Sequence, residues 1–511
     1  MRQIKLTILV ALAAALAAGA PADAAEVILV KGDRAVRVND PFVPSKAQIA
    51  LGRPQRAVAA VAAAGRHDAG ARAASRARGA APGRADRRAV LRALRSRKVD
   101  RSDARRWRRW YSLSLRTYRR LRGARRAQLG YVIDSVEALA LTGRLSPTRM
   151  PAAFVQLERN RRYWPSLPYP ASGDQVSFRG SQILYQYFPG RGLQLHPLST
   201  FKKANLMHGA CERGERTCDK AGLRRLLDEM EGLAVRRSRR FIAWEYAFSF
   251  GGGYPPWMSG MAQATGIQAL ARAAGLLNEP HYVDVARKGL GAFETPPPTG
   301  VRTTGPGGGV HYLQYSFAPR LYIFNAFLQS LIGLYDFGKL TGDERATGLF
   351  QTAEPEARRE LPLSDVGDWS RYSYAGAEST REYHELLREF LQSMCIRHLG
   401  PLYCDFATRY RSYMYDPPKL VYTGPPTGTE DELIPLRFKV SKLSVVEVTV
   451  LRNGKPLFSR LATVRRGTGA FAWRPRGPGV FEVDLAAKEL RTGMGKRDRD
   501  QAEIEVANAP G

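Results

Sequence analysis

The sequence predicts a mainly α-helical protein, with a large helical central domain followed by a small antiparallel β-sandwich. Three observations predict it. Between about Tyr131 and Tyr415, apolar residues recur with a 3.6-residue period over 133–142, 261–277, 321–340 and 379–394. These segments are parted by Gly/Pro-rich loops at 187–193, 250–258 and 295–310, which suggests helices packed around a central cleft with chemistry on the loops. Beyond the stiff Pro417-Pro418 and Gly424-Pro425-Pro426 stretches the period falls to two. There Leu436, Phe438 and Val440 alternate, as do Val446, Val448 and Val450. Asn453-Gly454 is a hairpin signal, and Phe471, Trp473, Val480, Phe481, Val483, Ile504 and Val506 continue the pattern. The size suits an immunoglobulin-like module.

Taken in order, the chain opens with Arg2 and Lys5, an uncharged apolar run from Leu6 to Ala20, and the small-residue sequence Ala22-Asp23-Ala24-Ala25. This is the layout of a cleavable secretory signal over residues 1–25, and it implies a protein that is secreted or lies at the cell envelope. The apolar run is shorter than the ~20 residues a membrane span needs. Val27 to Val30 and Ala35 to Val38 read as short strands. From Ala57 to Ala85 the chain is Ala/Arg/Gly of low complexity with few large apolar groups, and 26–100 is expected to be a flexible Arg/Ala-rich segment. Next, Trp107, Trp110, Leu113, Tyr118 and Leu121 recur at helical spacing among arginines. They form a basic amphipathic helix whose aromatic face is expected to pack on the helical domain, 101–418, with the sandwich at 430–511.

The 511 residues carry 79 Lys/Arg against 47 Asp/Glu, a net charge of +32. Between Gly52 and Arg126 there are 24 basic residues and four acids, so most of the excess sits in one segment. Outside the cell such a surface meets acidic polysaccharide or phospholipid headgroups, giving a possible peripheral association with the envelope. Export argues against a nucleic-acid partner. Four cysteines, Cys211, Cys218, Cys395 and Cys404, can pair in an oxidising compartment, and local pairing within 211/218 and 395/404 is expected. No CxxC occurs, and no metal site or other cofactor is expected.

Four stretches carry a resemblance: Tyr187-Phe-Pro-Gly-Arg-Gly-Leu-Gln-Leu-His-Pro-Leu198, Trp257-Met-Ser-Gly-Met-Ala-Gln-Ala264, Asn325-Ala-Phe-Leu-Gln-Ser-Leu-Ile-Gly-Leu-Tyr-Asp336, and Tyr372 with Glu382-Tyr383-His384. In this order and spacing, the region from Ser172 to Tyr415 resembles the C-terminal domain of the D-glucuronyl C5-epimerases. The resemblance implies an (α/α) barrel, inversion at C5 of uronic acid residues in a polysaccharide, no cofactor, and a tendency to dimerise. It implies proton transfer by a Glu and two Tyr, of which Tyr372 (in Ser370-Arg-Tyr-Ser) and Tyr383 match the tyrosines. The Glu does not match: the family's Glu-Glu-Tyr-Pro reads Leu313-Gln314-Tyr315-Ser316.

The chemistry explains why such residues are needed. A proton on the carbon α to a carboxylate must leave from one face and return to the other, which takes two acid/base groups and donors to the enolate-like charge. A tyrosine is a weak base unless a cation lowers its pKa, and Arg320, Arg371 and Arg381 lie near enough in sequence to do so. Glu245 is the candidate replacement carboxylate. Arg191 is a candidate for pairing a substrate carboxylate, and Trp257 for stacking on a sugar ring. Gln263, His311, Gln314, Tyr315, Asn325 and His384 complete the candidate substrate contacts, while His196 reads as a core histidine. The alternatives are a uronate polysaccharide lyase, a hydrolase (for which no facing carboxylate pair stands out), and a non-catalytic glycan-binding protein of the envelope.

Overall fold

The computed structural model describes residues 25–49, 84–96, 98–239 and 241–509. Residues 1–24 of the expected signal sequence and residues 50–83 and 97 of the Arg/Ala-rich segment lie outside them. Both N-terminal strands form where alternation placed them, as the antiparallel pair β1 (Ala25–Lys31) and β2 (Arg34–Asp40). They are not part of a flexible segment, however. β1 runs parallel to β3 (Gln175–Phe178), and with β4 (Tyr185–Phe188) and β5 (Gly192–Leu195) they make a five-stranded sheet of order β2-β1-β3-β4-β5. Val27, Ile28 and Val30 are buried by it. The segment read as a loop at 187–193 is thus largely a β-hairpin whose strands are buried along most of their length.

Twelve longer helices follow among the described residues: α1 (Arg84–Leu94), α2 (Arg101–Arg120), α3 (Gly123–Leu141), α4 (Met150–Tyr163), α5 (Pro197–Glu212), α6 (Lys220–Gly232), α7 (Gly260–Leu277), α8 (His281–Gly289), α9 (Phe324–Thr341), α10 (Glu344–Glu360), α11 (Arg381–Ile396) and α12 (Pro401–Tyr415). The basic helix α2 starts where the Asp100 carboxylate accepts from the Ser102 and Asp103 amides. Its Trp107, Tyr111 and Leu115 are buried, with Trp107 stacked on Phe154 of α4 at 5.6 Å, while Arg101, Arg105, Arg108, Arg109, Arg116 and Arg119 face outward. The aromatic face therefore packs into the domain. At about 1.5–3 kcal/mol for each large apolar side chain buried, that packing fixes which face of the helix is wet.

Helix α7 lies against both α5 and α9. Close approach explains its small residues: a Cβ on Gly333 of α9 would come within 2.5 Å of the Ala264 carbonyl oxygen of α7. The disulfides are Cys211–Cys218, which closes the α5–α6 turn, and Cys395–Cys404, which ties the end of α11 to α12.

The C-terminal region forms two sheets around its own core. β6 (Leu420–Tyr422), β8 (Ile434–Val440) and β11 (Gly467–Trp473) make one, in the order β6-β8-β11. β7 (Thr427–Thr429), β13 (Arg497–Ala507), β12 (Gly479–Glu489), β9 (Ser444–Arg452) and β10 (Lys455–Val464) make the other, in that order. Leu436, Phe438, Val446, Val448 and Val450 meet in the core, so the two-residue period reads directly as one buried face. Asn453 and Gly454 both take positive φ (52° and 71°), the left-handed pair that a tight turn between β9 and β10 needs.

Candidate functional site

Three tyrosines meet at the heart of the helical domain, each delivered by a different element. Tyr315 follows a short two-stranded hairpin (Arg302–Thr304 with Val310–Tyr312). Tyr372 sits on the 365–380 segment, which is pinned by the pairs Asp365 with Ser370, Arg371 with Glu378 and Ile323 with Ser373. Tyr383 opens α11, and its carbonyl accepts from Asn325 Nδ2 at the start of α9 (3.3 Å). The Tyr372 and Tyr383 rings are 4.6 Å apart. The Tyr372 phenol is hydrogen-bonded to both Tyr315 and Tyr383.

Burial disfavours ionisation of this cluster. It pushes Tyr372 up to about 12, while the hydrogen bonds from Tyr315 and Tyr383 pull in the opposite direction. Tyr315 is raised well above its ordinary value too, because burial acts on it and the nearby Tyr372 and Tyr383 oppose a second negative charge. The three expected arginines do not supply the cation: Arg320 and Arg381 are exposed, Arg381 donates to the Thr492 carbonyl, and Arg371 to that of Gly376. Exposure rises along the cluster from Tyr315 (1%) through Tyr372 (5%) to Tyr383 (9%), so Tyr383 is the side nearest solvent.

An aromatic wall continues from Tyr315. Its ring is 5.7 Å from Trp257 and 5.6 Å from Phe250. Trp257 stacks on Tyr246 at 4.2 Å and donates its indole N–H to the Phe248 carbonyl; Phe248 in turn is 4.5 Å from Phe188. With 1% of its surface exposed and its ring covered by Tyr246, Tyr315 and Phe317, Trp257 is a core residue of this wall and offers no free face to a sugar. Arg191 sits half-buried on the β4–β5 turn next to Phe188, at the far end of the wall.

Glu245 does not replace the missing carboxylate. Arg149 grips it with two hydrogen bonds (2.6 and 3.0 Å) and Arg237 with a third at 2.6 Å, and the carboxylate side chain is 5% exposed. Arg237 also reaches the Thr299 and Pro298 carbonyls (2.6 Å each), tying the 295–300 turn to the strand that carries Glu245. Three of the roughly four acceptor positions of this carboxylate are thus taken by guanidinium donors.

The remaining candidates mostly hold the fold. Gln263 is fully buried and donates to the Ile242 and Gly289 carbonyls. Gln314 accepts from Ser259 Oγ at 3.3 Å. Fully buried His311, on the hairpin that leads to Tyr315, pairs with Glu360 at 2.8 Å. His384, next to Tyr383, uses both ring nitrogens: Nε2 donates to the Tyr410 carbonyl (3.0 Å), Nδ1 accepts from Ser370 Oγ (2.8 Å), and the ring stacks on Trp369 at 3.8 Å. Burial lowers its pKa to about 4, so it is neutral near pH 7 with both ring nitrogens engaged inside the fold. His196 caps α5 by accepting from the Ser199 amide, as a core histidine does.

Sequence reasoning placed Tyr372 and Tyr383 together but gave Tyr315 only a binding role. Its position one residue after the unmatched Gln314 was the available signal. Arg149 and Arg237, which decide the fate of Glu245, were not singled out; Arg237, eight residues ahead of Glu245, could have been found.

These phenols form a buried, hydrogen-bonded cluster within the helical domain. Residues 237–412, which contain all three tyrosines, match the family described as D-glucuronyl C5-epimerase C-terminus. A D-glucuronyl C5-epimerase of Caenorhabditis elegans is 33% identical over 130 residues, covering 23% of this chain and 21% of that protein. An uncharacterized protein of Methanocaldococcus jannaschii is 27% identical over 154 residues, covering 29% of this chain and 50% of that protein. The chain thus spans half the length of one relative and about a fifth of the other. Among solved structures, a cellobiose 2-epimerase from Spirochaeta thermophila shares 15% identity over 57% of this chain and 73% of that one, at a TM-score of 0.32. An endo-β-1,4-glucanase from Acetobacter xylinum shares 12% identity over 47% and 73%, at a TM-score of 0.34. Scores this low carry no argument about fold or activity.

Proposed function

We propose that this protein inverts C5 of uronic acid residues in an acidic polysaccharide, on an (α/α) barrel formed by the helical domain, with the Ig-like sandwich appended. The observation that carries the reading is the hydrogen-bonded cluster of Tyr315, Tyr372 and Tyr383 inside the stretch that matches the epimerase family. Tyr372 is the base: two phenol donors solvate its phenolate and pull its pKa down against burial. The C5–H bond breaks, the proton goes to the Tyr372 oxygen, and the electron pair enters the sugar carboxylate as an enolate. C5 then takes a proton on its other face from Tyr383, the more exposed of the two. When product leaves, the hydrogen bond between Tyr372 and Tyr383 re-forms and the proton passes back, resetting the pair. The signal-like N-terminus and two disulfides support action outside the cytoplasm.

One observation favours a second reading. With an amide, Gln314, where the family's Glu stands, and Glu245 engaged by two arginines, no expected carboxylate is free to serve the tyrosines, which suits a protein that binds uronate chains without turning them over. Incubation with heparosan-like and other uronate polymers in D2O separates the readings. Deuterium at C5 with inversion supports the epimerase. New unsaturated ends absorbing in the ultraviolet point to a lyase. Binding with neither establishes the non-catalytic protein.

A further inference from the structure

The segment that carries Tyr372 is held from outside its own domain. Asp368 and Glu378 stand on either side of Tyr372, and both reach one guanidinium, that of Arg491, on the β12–β13 turn of the sandwich. Its Nη1 donates to Glu378 Oε2, and its Nη2 lies 3.3 Å from Asp368 Oδ1. The Arg491 side chain is 11% exposed and that of Asp368 3%. The other Asp368 oxygen accepts from the Leu443 amide at 2.9 Å, on the β8–β9 turn. Two turns of the sandwich therefore close on the base of the Tyr372 segment.

Arg491 also lies over the Trp369 ring, 5.7 Å from its centre, and Trp369 stacks in turn on His384, the neighbour of Tyr383. A single column thus runs from the sandwich through Trp369 to the start of α11. The Trp369 indole donates to the Ser379 carbonyl, and the Ser379 amide donates to that of Ser370, closing the segment into a loop with Tyr372 at its turn.

We infer that Arg491 is a positioning residue for the tyrosine pair: by bridging Asp368 and Glu378 and stacking on Trp369, it makes the sandwich a clamp that sets Tyr372 against Tyr383. This rests on the epimerase reading for its consequence, though not for its structural content. The fork geometry matters, because two carboxylates and a ring face are engaged at once; a lysine offers a point charge that serves only some of these contacts. A displacement of about 1 Å in a reacting group can lower turnover roughly a hundredfold.

The test uses the full chain and compares wild type with Arg491→Gln and Arg491→Lys. Amide hydrogen exchange is read over 365–381, alongside thermal unfolding and C5 deuterium incorporation. Expected for Arg491→Gln are faster exchange over 365–381, exchange in α3 and α4 unchanged, and kcat lower by about 10- to 100-fold with KM within about threefold. Arg491→Lys restores part of both. Wild-type exchange over 365–381 in Arg491→Gln would overturn the clamp whether or not the protein turns over uronates. Faster exchange with unchanged kcat would overturn the positioning role. Absence of C5 chemistry in the wild type would overturn the epimerase reading, and the exchange measurement would still decide the clamp.

Discussion

Two polar clusters flank the aromatic wall of the helical domain, and they handle charge in opposite ways. Around Glu245, every charge has a partner: one carboxylate, two guanidinium groups, three hydrogen bonds of 2.6–3.0 Å. Around Tyr372 the hydrogen-bond partners are other phenols, and burial keeps the protons on. The first arrangement is closed, since its groups are already in their most stable state and have nothing left to exchange. In the second, the phenols are linked to one another by hydrogen bonds. The difference shows why a carboxylate near a cleft is a poor guide to catalysis by itself: what counts is whether its lone pairs are already spoken for.

The largest expected effect comes from opening the closed cluster. Glu245→Ala leaves Arg149 and Arg237 buried without their counterion, and stability should fall by about 3–5 kcal/mol in denaturant unfolding. C5 exchange per folded molecule should stay the same; a large loss of exchange with normal stability would make Glu245 part of the chemistry after all. The phenol cluster makes a prediction in pH. With Tyr372 near 12, only about one molecule in ten thousand holds the phenolate at pH 8, so turnover should rise about tenfold per unit from pH 7 to 10. A plateau beginning near neutrality would reveal a different base.

The smallest effect concerns the neutral histidine behind the cluster. Folded His384 has a pKa of about 4, whereas the unfolded chain takes up its proton near 6.5. Between these values the unfolded state binds more protons, so the contribution of neutral His384 is fully present above about 6.5 and is lost as pH falls toward 4, at roughly 1.4 kcal/mol per unit. Thermal unfolding at pH 7 and pH 5 should show the decline, and His384→Gln should lessen it. A wild-type midpoint that does not move would contradict the buried neutral assignment.

What the sequence made legible was whatever depends on local period or local pairing. The burial of Trp107 follows from helical spacing, and the sandwich core follows from the alternation at 436–450. The two disulfides close short loops and needed only proximity. That Tyr372 and Tyr383 share one site was implied by the family resemblance, while the contact between their rings was not. The parallel pairing of β1 with β3 was not, because register between distant strands leaves no local trace. The fate of Glu245 was hidden for the same reason, since its partner Arg149 lies on a separate helix. The clamp on Asp368 and Glu378 was hidden too, because it joins two domains that the sequence shows only one at a time.

The most direct measurement is C5 deuterium incorporation into a uronate polymer in D2O by wild type and by Tyr372→Phe, which removes one oxygen and keeps the packing. The account predicts incorporation with inversion by the wild type and a loss of about 10²- to 10⁴-fold in the variant, with unfolding unchanged. Incorporation by Tyr372→Phe at the wild-type rate would contradict it.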